Sequence, residues 1–431
     1  MKRNLYKPLP DGKHHLQIGK TFECAAEFRK VLIEYSIQEG FNIYRVKNEK
    51  NRVTCECAAM GCGWRVHASL MADNITFQIK TLREDHCCTM LSKNPMVTCE
   101  WLSRKIEDKD GFLKGYRPFI GVDDCHLKGQ FGGVLLIAVG VDANNNIFLL
   151  AFFVCEGKNY DNQIWFLNLI SEYIGVHETR RICFMSDRQK GLLKAINEVF
   201  PNAFNWYCAR HIFANLKSHF PGVEVRNLFW AASRSTNIKD FNVAMEGIKA
   251  VNLDAYTWLK DIPVDSWSKH VFGIDIKVDH VTNNLTESFN SQVDSIRNKP
   301  ILQLVESLRR KVMKKFSKRE QKAKDWLTDL PPLVQAKVNK FQKEGRHIRV
   351  IHAENSEFEV LHESVIVLVD FNKATCDCGV RQIYGIPCKH AMACITHLGV
   401  GPIPYVASCL SKEPYMLNYA GKIHPIPNEL S

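Results

Sequence analysis

Residues 119–157 read FIGVDDCHLKGQFGGVLLIAVGVDANNNIFLLAFFVCEG, and this stretch decides the fold. It contains three apolar runs, FIGVDD, VLLIAVGV and IFLLAFFVCEG, separated by the turn-like segments HLKGQFGG and DANNN. Short apolar runs between turn signals are typical of buried strands. The stretch therefore predicts a meander of three antiparallel strands, with a hairpin at the second turn.

Helix-like and strand-like segments alternate after this meander. QIWFLNLISEYIG, GLLKAINEVF and ARHIFANLKSHF have the periodicity of helices, whereas RICFMSD and FNWYC read as strands. A meander followed by alternating units indicates an α/β core.

Acidic residues lie at two strand ends of this core. Asp123 ends FIGVD, and Asp187 ends RICFMSD. Carboxylates at neighbouring strand ends can share a divalent cation, because the sheet fixes their separation. Glu287, in HVTNNLTESFNS, is the leading candidate for a third carboxylate, since Ser and Asn neighbours at a helix start would orient it. Taken singly, each carboxylate fits a cap, a turn or a salt bridge better than a catalytic role.

A four-ligand cluster lies near the carboxy terminus, in CDCGVRQIYGIPCKH. Its members are Cys376, Cys378, Cys388 and His390, spaced CxCx9CxH. Two close ligand pairs joined by a short loop suit a tetrahedral zinc ion, since each pair spans one edge of the tetrahedron. The spacing therefore predicts structural zinc.

A second cluster lies near the amino terminus, in RVTCECAAMGCGWRVHAS and FQIKTLREDHCC. Cys57 and Cys62 would form one ligand pair, and His86 and Cys88 the other, on adjoining strands linked by a hairpin containing Ala72, Asp73 and Asn74. Two neighbours compete for these roles, Cys55 with Cys57 and Cys87 with Cys88. A cysteine-rich strand pair without metal remains the alternative.

Composition indicates an acidic partner and a reducing environment. The 431-residue chain can hold more than one domain, and its formal charge of +11 favours nucleic acid. The chain has sixteen cysteines, and its sequence shows neither a signal-like segment after Met1 nor an apolar run that could span a bilayer. These features predict a reducing interior and no membrane. We expect the ten cysteines outside the two clusters to be buried, as for Cys155 and Cys183.

A basic helix is predicted in ILQLVESLRRKVMKKFSKREQKAKDW. Leu304, Leu308, Val312 and Phe316 are four apart, as on one helix face. The other face carries nine basic residues: Arg309, Arg310, Lys311, Lys314, Lys315, Lys318, Arg319, Lys322 and Lys324. Such a face suits DNA phosphates or nuclear import, and a solvated helix face is the plain alternative.

Three groups of segments resemble the Mutator-like transposases. The CxCx9CxH cluster with its GIPCKHA end resembles the SWIM zinc finger of that family. AAEFRKVLIEYSIQEGFNIYRVKNEKNRVTCECAAMGCGWRVHAS resembles its amino-terminal DNA-binding module. The run that begins DDCHLKGQFGG, with MSDRQKGL, YCARHI and TNNLTESFN, resembles the transposase core. The resemblance is to plant-type members, which are related to far-red response transcription regulators.

The resemblance implies a fold and a chemistry. It implies an RNase H-like core whose DDE triad maps onto Asp123, Asp187 and Glu287. It also implies two-metal phosphoryl transfer, with Mg²⁺ or Mn²⁺ ions about 3.5–4 Å apart that activate the attacking oxygen and stabilise the leaving oxygen. A CxxH pair of the family maps onto Cys208 and His211, which would face the metal site or, equally, form a packed core pair.

The expected fold class is α/β, with the RNase H-like core between a small zinc-stabilised β module and a SWIM zinc finger. In the amino-terminal module, the family's ligands map onto Cys57, Cys62, His86 and Cys88, and basic residues surround the cysteine pair: Arg45, Lys47, Lys50, Arg52 and Arg65. The expected domains are the amino-terminal module at 15–92, the transposase core at 117–296, a basic helical segment at 297–350, the SWIM finger at 358–400 and a carboxy-terminal tail at 401–431.

The chain departs from the family pattern in three places. Asp124 follows Asp123 where the family usually has Gly, so an extra carboxylate adjoins the first metal ligand. The linker WLSRKIEDKDGFLKGYRPFIG is short where relatives carry a long helical stretch. The SWIM segment has GVRQIYG where relatives often keep an aromatic and a basic residue.

Two functions follow from the resemblance. The first is a nuclear transposase that binds double-stranded DNA at transposon ends, with self-association left open, and cuts and joins those ends. The second is a domesticated or degenerate relative that binds DNA, such as promoter sites, through its zinc modules without catalysis. Acids at all three triad positions favour the first, and the short linker favours the second.

Overall fold

The computed structural model of the protein describes residues 5–9, 13–88, 115, 117–129, 132–174, 181–352 and 356–421. They form two compact units; the first includes residues 13–88 and 298–311, and the second includes residues 117–297 and 312–421. Most of the short linker, residues 101–114, lies outside the described residues, as do residues 89–92 of the expected amino-terminal module. No helix within the described ranges is long and apolar enough to cross a bilayer.

An antiparallel sheet and one helix build the amino-terminal module. Its elements are β1 (Thr21–Phe22), α1 (Ala25–Gln38), β2 (Ile43–Asn48), β3 (Arg52–Cys57), β4 (Arg65–Leu70) and β5 (Phe77–Arg83). The sheet order is β1-β5-β4-β3-β2. Four aromatic side chains are fully buried in its core: Phe22, Phe28, Trp64 and Phe77. The predicted hairpin joins β4 to β5, where the Asp73 carboxylate accepts the backbone N–H groups of Ile75 and Thr76.

The predicted meander and the alternating units after it are confirmed. The elements are β6 (Phe119–His126), β7 (Val134–Val141), β8 (Ile147–Cys155), α2 (Tyr160–Ile174), β9 (Cys183–Ser186), α3 (Lys190–Val199), β10 (Phe204–Tyr207) and α4 (Ala209–His219). Strand β7 pairs antiparallel with β6 and β8, because short turns join them. Strand β9 is parallel to β6 and β10, so the sheet order is β10-β9-β6-β7-β8.

Helices follow this sheet. They are α5 (Val223–Arg234), α6 (Ile238–Val251), α7 (Leu253–Lys260), α8 (Asn284–Val293), α9 (Ile301–Lys324) and α10 (Pro332–Gly345). Helix α8 packs closely on β6 because Gly121 has no side chain. A Cβ atom at Gly121 would lie 2.8 Å from Asn283 Oδ1 and 3.0 Å from Thr286 Cγ2.

The apolar stripe predicted for α9 is confirmed, and its basic face is only partly exposed. Leu304, Leu308, Val312 and Phe316 are buried. Five of the nine basic residues are exposed, namely Arg310, Lys314, Lys318, Lys322 and Lys324. Arg319 instead donates to the Ile147 carbonyl and to the Tyr419 hydroxyl, so part of the basic face holds the fold together.

A four-stranded antiparallel sheet and short helices form the carboxy-terminal part. The elements are β11 (Arg349–His352), β12 (Glu357–His362), β13 (Val365–Asp370), β14 (Thr375–Cys376), α11 (Val380–Tyr384), α12 (Lys389–His397) and α13 (Lys412–Leu417). The sheet order is β11-β12-β13-β14. Strand β11 starts inside the segment 297–350 that was expected to be helical, because its residues pair with β12.

The segment expected to be a tail is packed as far as residue 421. Tyr415 and Tyr419 are each 2% exposed, and the Phe316 and Tyr419 rings meet edge to face with centroids 5.2 Å apart. The Tyr419 hydroxyl donates to the buried Asp142 carboxylate, which lies in the β7–β8 turn. The Tyr419 hydroxyl therefore helps to hold this segment on the core sheet. Residues 422–431 of the expected tail lie outside the described range.

Replacing Tyr419 by Phe should destabilise the protein. The Asp142 carboxylate would lose its hydroxyl donor while remaining buried, at a cost of ~1–3 kcal/mol in free energy of unfolding. Urea unfolding of both proteins measures this difference. Tyr405→Phe is the matched control, because Tyr405 is half-buried and remote from Asp142's hydrogen bonds. Equal unfolding free energies for Tyr419→Phe and the parent would contradict the assigned role.

The cysteines outside the two clusters are not all buried. Cys125, Cys183 and Cys394 are buried, as expected, but Cys24 and Cys87 are exposed, and Cys155 and Cys409 are half-buried. The expectation was therefore wrong for those four, which lie at a helix start, in a loop, at a strand end and in a short 3₁₀ turn. All described cysteines are free thiols.

Candidate functional site

Strand β6 presents Asp123 at the edge of helix α8. Its Oδ2 accepts hydrogen bonds from Thr286 Oγ1 at 3.0 Å and from Asn290 Nδ2 at 3.2 Å. Its Oδ1 accepts the backbone N–H of Asp124 at 2.9 Å. Thr286 and Asn290 are four residues apart, so they share one face of α8. Both oxygens of Asp123 are therefore fixed in place.

Parallel pairing of β6 and β9 brings Asp187 beside Asp123. Gly121 pairs with Met185, and each aspartate lies two residues further along its own strand direction. The Asp187 Oδ1 accepts the backbone N–H of Gln189 at 3.3 Å. Burial, together with repulsion from the Asp124 and Asp187 carboxylates, raises the pKa of Asp123. Such crowding of carboxylates favours a cation between them.

Lys158 supplies a positive charge at this place. Its ammonium pairs with the Asp124 carboxylate and lies 3.4 Å from Asp187 Oδ2. Although burial opposes it, the two carboxylates raise the pKa of Lys158. The extra acid at Asp124 is therefore matched by an internal cation. Sequence reasoning missed Lys158, because a single lysine between a strand and a helix gives no periodic signal.

Glu287 lies on helix α8, beside a residue that binds Asp123. It follows Thr286, the residue whose hydroxyl binds Asp123, and its own carboxylate pairs with the Arg210 guanidinium of α4. Ser and Asn neighbours were expected to orient Glu287, but Asn290, three residues further along α8, binds Asp123 and the Asp124 carbonyl instead. The structure thus brings Asp123 and Asp187 together, and places Glu287 on the adjoining helix.

Cys208 and His211 lie at the start of α4. Cys208 is fully buried, and its sulfur accepts the backbone N–H of Asn283 at 3.2 Å. A hydrogen bond with Cys208, aided by the charges of Asp187 and Asp123, raises the pKa of His211. Cys208 therefore packs against the start of α8, while His211 lies within electrostatic range of both aspartates.

The carboxylates fit a divalent cation of the magnesium type. Such ions prefer oxygen ligands, and Asp123, Asp187 and Glu287 offer carboxylate oxygens. Lys158 pairs with Asp187 and with Asp124, the neighbour of Asp123, and Arg210 pairs with Glu287. These protein cations therefore balance part of the negative charge of the site.

Replacing Lys158 by Met should tighten Mn²⁺ binding by about tenfold or more, because a unit charge near a metal site opposes the ion by Coulomb repulsion. Electron paramagnetic resonance of free Mn²⁺ measures the dissociation constant. Lys128→Met is the control, since Lys128 pairs at 2.8 Å with Asp294, which binds none of the three acids. Unchanged Mn²⁺ affinity in Lys158→Met would show that Lys158 does not compete with metal.

The carboxy-terminal cluster gathers at the junction of β14 and α12. Cys376 ends β14, Cys388 caps the start of α12, and His390 lies in its first turn. The ligand atoms of these residues and Cys378 all lie within 4.8 Å of one another. Hydrogen bonds from the Cys376 and Cys378 thiols hold the pKa of Cys388 well below its usual range. Three sulfurs and one imidazole so arranged support structural zinc.

The amino-terminal cluster gathers at the ends of three strands. Cys57 ends β3, Cys62 lies in the β3–β4 turn, and His86 and Cys88 follow β5. The Cys57 and Cys88 sulfurs are 3.6 Å apart, and Cys62 Sγ is 3.3 Å from His86 Nδ1. Ligand atoms on a tetrahedral zinc ion lie roughly 3.3–3.8 Å apart. Of the competing thiols, Cys55 is buried elsewhere in the sheet core and Cys87 is exposed.

Family models match three parts of the chain. A model described as MuDR family transposase matches residues 13–79, one described as MULE transposase domain matches 119–215, and one described as SWIM zinc finger matches 365–399. The SWIM match contains all four carboxy-terminal ligands. The MULE match contains both aspartates and the Cys208–His211 pair but ends before Glu287. The resemblance to Mutator-like transposases with a SWIM zinc finger is confirmed.

Curated relatives are more distant. The chain is 23% identical over 186 residues to the transposase for insertion sequence element IS256 in transposon Tn4001, from Staphylococcus aureus and from Enterococcus faecalis. The match covers 40% of this chain and 45% of each of those proteins, so the chain spans less than half their length.

Proposed function

We propose that the protein is a DNA-binding protein of the transposase type whose α/β core cuts and joins DNA strands with divalent cations. The observation that carries the proposal is the pairing of β6 with β9, which sets Asp123 and Asp187 side by side, with Glu287 on the helix packed against β6. The MuDR, MULE and SWIM matches support the same function.

We infer that the core is RNase H-like. Three antiparallel strands lie next to two parallel strands, with β6 central in the order β10-β9-β6-β7-β8. Helix α8 approaches β6 at Gly121 and brings its polar residues to the carboxyl end of that strand. This order supports the inference, because it gathers acids from separate segments at one sheet end.

Each residue of the site has an assigned task. Asp123, Asp187 and Glu287 would hold Mg²⁺ or Mn²⁺, which supplies activation of the attacking oxygen and stabilisation of the leaving oxygen when bound. Thr286 and Asn290 hold the Asp123 carboxylate in one orientation. Lys158 balances Asp124, the extra acid, and so limits the negative charge that meets a phosphodiester.

Two exposed basic surfaces are proposed to contact double-stranded DNA. On β2, Arg45 and Lys47 are exposed beside the amino-terminal cluster. On α9, Lys314, Lys318 and Lys322 are exposed and four residues apart, so they form a stripe. Charges of this kind position a protein on phosphates without reading sequence. Because DNA is the proposed partner, we also propose a nuclear location.

A second function, DNA binding without catalysis, is favoured by one observation. Lys158 and Arg210 occupy the carboxylates with protein cations, so the fold balances these charges by itself. A degenerate relative would keep the zinc modules and this internally paired site.

Strand cleavage tests the two functions against each other. The zinc-loaded protein is incubated with DNA carrying the ends that flank its gene, with and without Mg²⁺ or Mn²⁺. Cleavage only with metal supports the first function. Binding of these ends without cleavage, under any metal condition, overturns it in favour of the second.

A further inference from the structure

A cationic cavity of about 560 Å³ lies between α4, α5 and the segment that leads into α8. We call it the arginine pocket. The residues that define it are Arg210, Arg226, Trp230, Arg234, Thr282 and Asn284. Small-ligand sites typically measure roughly 300–1,000 Å³, so the arginine pocket has the size of a site for one small group.

Helix α5 builds one wall of the pocket. Arg226, Trp230 and Arg234 are four residues apart, so they lie on one face. The Arg234 guanidinium carbon lies 4.8 Å from the centroid of the Trp230 ring. Trp230 is positioned by Phe213 and Phe229, whose ring centroids are 5.8 and 5.4 Å away. The indole and the guanidinium thus form a fixed, flat and cationic surface.

The charge of the pocket calls for an anion. Its described lining includes three arginines and no acid. Arg210 pairs with Glu287, while Arg226 and Arg234 form no ion pair with a carboxylate in the part of the chain that the structure describes. Guanidinium groups bind phosphate through paired N–H donors. A flat aromatic surface beside them suits a nucleobase, which stacks on indole or guanidinium planes.

The pocket adjoins the carboxylates. Arg210 belongs to the pocket and pairs with Glu287. Thr282 and Asn284 flank Asn283, whose side-chain amide donates to the Val122 carbonyl at 3.1 Å, next to Asp123. A group bound in the pocket therefore lies beside the acids that would act on a DNA strand.

We propose that the arginine pocket binds one unpaired nucleotide of a DNA strand, with its base against Trp230 and Arg234 and its phosphate at Arg226. The proposal rests on the proposed function, since it takes a DNA strand as substrate. It adds that the strand near the carboxylates is locally single-stranded, and that the pocket holds a base taken out of the duplex.

Base-dependent binding tests the proposal. Fluorescence anisotropy compares a labelled oligothymidylate with an abasic oligonucleotide of equal length and charge, using the full zinc-loaded chain without Mg²⁺ or Mn²⁺. Trp230→Ala should weaken oligothymidylate binding by about tenfold, as expected for one lost stacking contact, and should leave abasic binding unchanged. Arg226→Ala should weaken both. The Trp230→Phe protein should still prefer the oligothymidylate over the abasic oligonucleotide. Arg346→Ala, which removes an exposed arginine after α10, is the control for the loss of one positive charge.

The outcomes separate the pocket from the catalytic proposal. Equal affinity of the parent for the two oligonucleotides, or a Trp230→Ala protein that keeps the parent's preference for the oligothymidylate, would overturn the pocket. If the variants lose as much affinity for duplex DNA as for single strands, the arginine pocket is a groove for duplex phosphates, and this outcome also overturns the proposal. Base-dependent binding without metal-dependent cleavage would support the pocket while rejecting the cleavage function. If the Trp230→Ala protein does not fold, the Arg226→Ala and Trp230→Phe proteins decide the test. Both should fold, because Arg226 is exposed and because Trp230→Phe keeps an aromatic ring.

Discussion

Replacing Cys388 by Ala is expected to remove zinc from the carboxy-terminal cluster and to unfold the segment around it. Structural zinc contributes roughly 10–16 kcal/mol of apparent binding free energy in small modules. The ligands Cys376 and Cys388 are also part of a small apolar core with Phe358, Val360 and Val369. Met392 and Ile395 of α12 also share an apolar cluster with Val334 and Val338 of α10, but the binding free energy of the ion is large beside these contacts, so the segment should still unfold.

The α/β sheet should stay folded in this variant, with reduced stability. Hydrogen bonds join the segment to the core, among them those from Thr236 Oγ1 to the Cys378 carbonyl at 2.7 Å and from Lys277 Nζ to the Gln382 carbonyl at 2.8 Å. Loss of these contacts should lower the thermal midpoint of the core without abolishing its transition.

Zinc content and hydrogen exchange measure this prediction. The variant should hold one equivalent of zinc fewer than the parent, with amide protection lost in residues 357–397 and retained in residues 134–141. Cys394→Ala is the matched control, because Cys394 is also buried in α12 but is not one of the four clustered ligands. Equal zinc content in the Cys388→Ala and Cys394→Ala proteins would refute the assignment.

Replacing Asp187 by Asn is expected to abolish metal-dependent cleavage. Loss of a metal ligand should cost more than the roughly 10–100-fold typical of residues that only support a ligand. Folding should be nearly intact, because the Asp187 side chain is 30% exposed and its described bonds are long, 3.4 Å to Lys158 and 3.3 Å to the Gln189 N–H. Removal of one of several crowded acids should even relieve repulsion.

Single-turnover cleavage and thermal unfolding check this result together. Asp261→Asn is the control, because Asp261 is an exposed aspartate that caps the end of α7. Cleavage by the Asp187→Asn protein at the parent's rate would remove Asp187 from the site. Loss of both folding and cleavage would instead assign Asp187 a structural role.

Much of the fold was predictable because its signals are local. The three apolar runs between residues 119 and 155 are long enough to be buried strands, and the turns between them are polar or rich in glycine. The zinc clusters were predictable for a related reason: metal spacing is a property of neighbouring residues, and both predicted ligand sets come together.

The charge balance of the carboxylate site was not predictable from the sequence. Lys158 is 34 residues after Asp124 and 29 residues before Asp187, and only the fold brings its ammonium to both acids. Arg210 and Glu287 come from different helices in the same way. Ser and Asn neighbours were expected to orient Glu287, but Asn290, three residues after it on α8, donates to Asp123 instead. Ion pairs across such separations leave no pattern along the chain.

The sequence by itself determined the strand meander, the alternating units, the two zinc clusters and the likeness to Mutator-like transposases. These depend on apolar periodicity and on ligand spacing, which act over a few residues. Only the tertiary structure decided which acids stand together, which cations pair with them, and that Arg226, Trp230 and Arg234 face a cavity next to Glu287. Such relations arise from parallel strand pairing and helix packing, which join residues far apart in the chain.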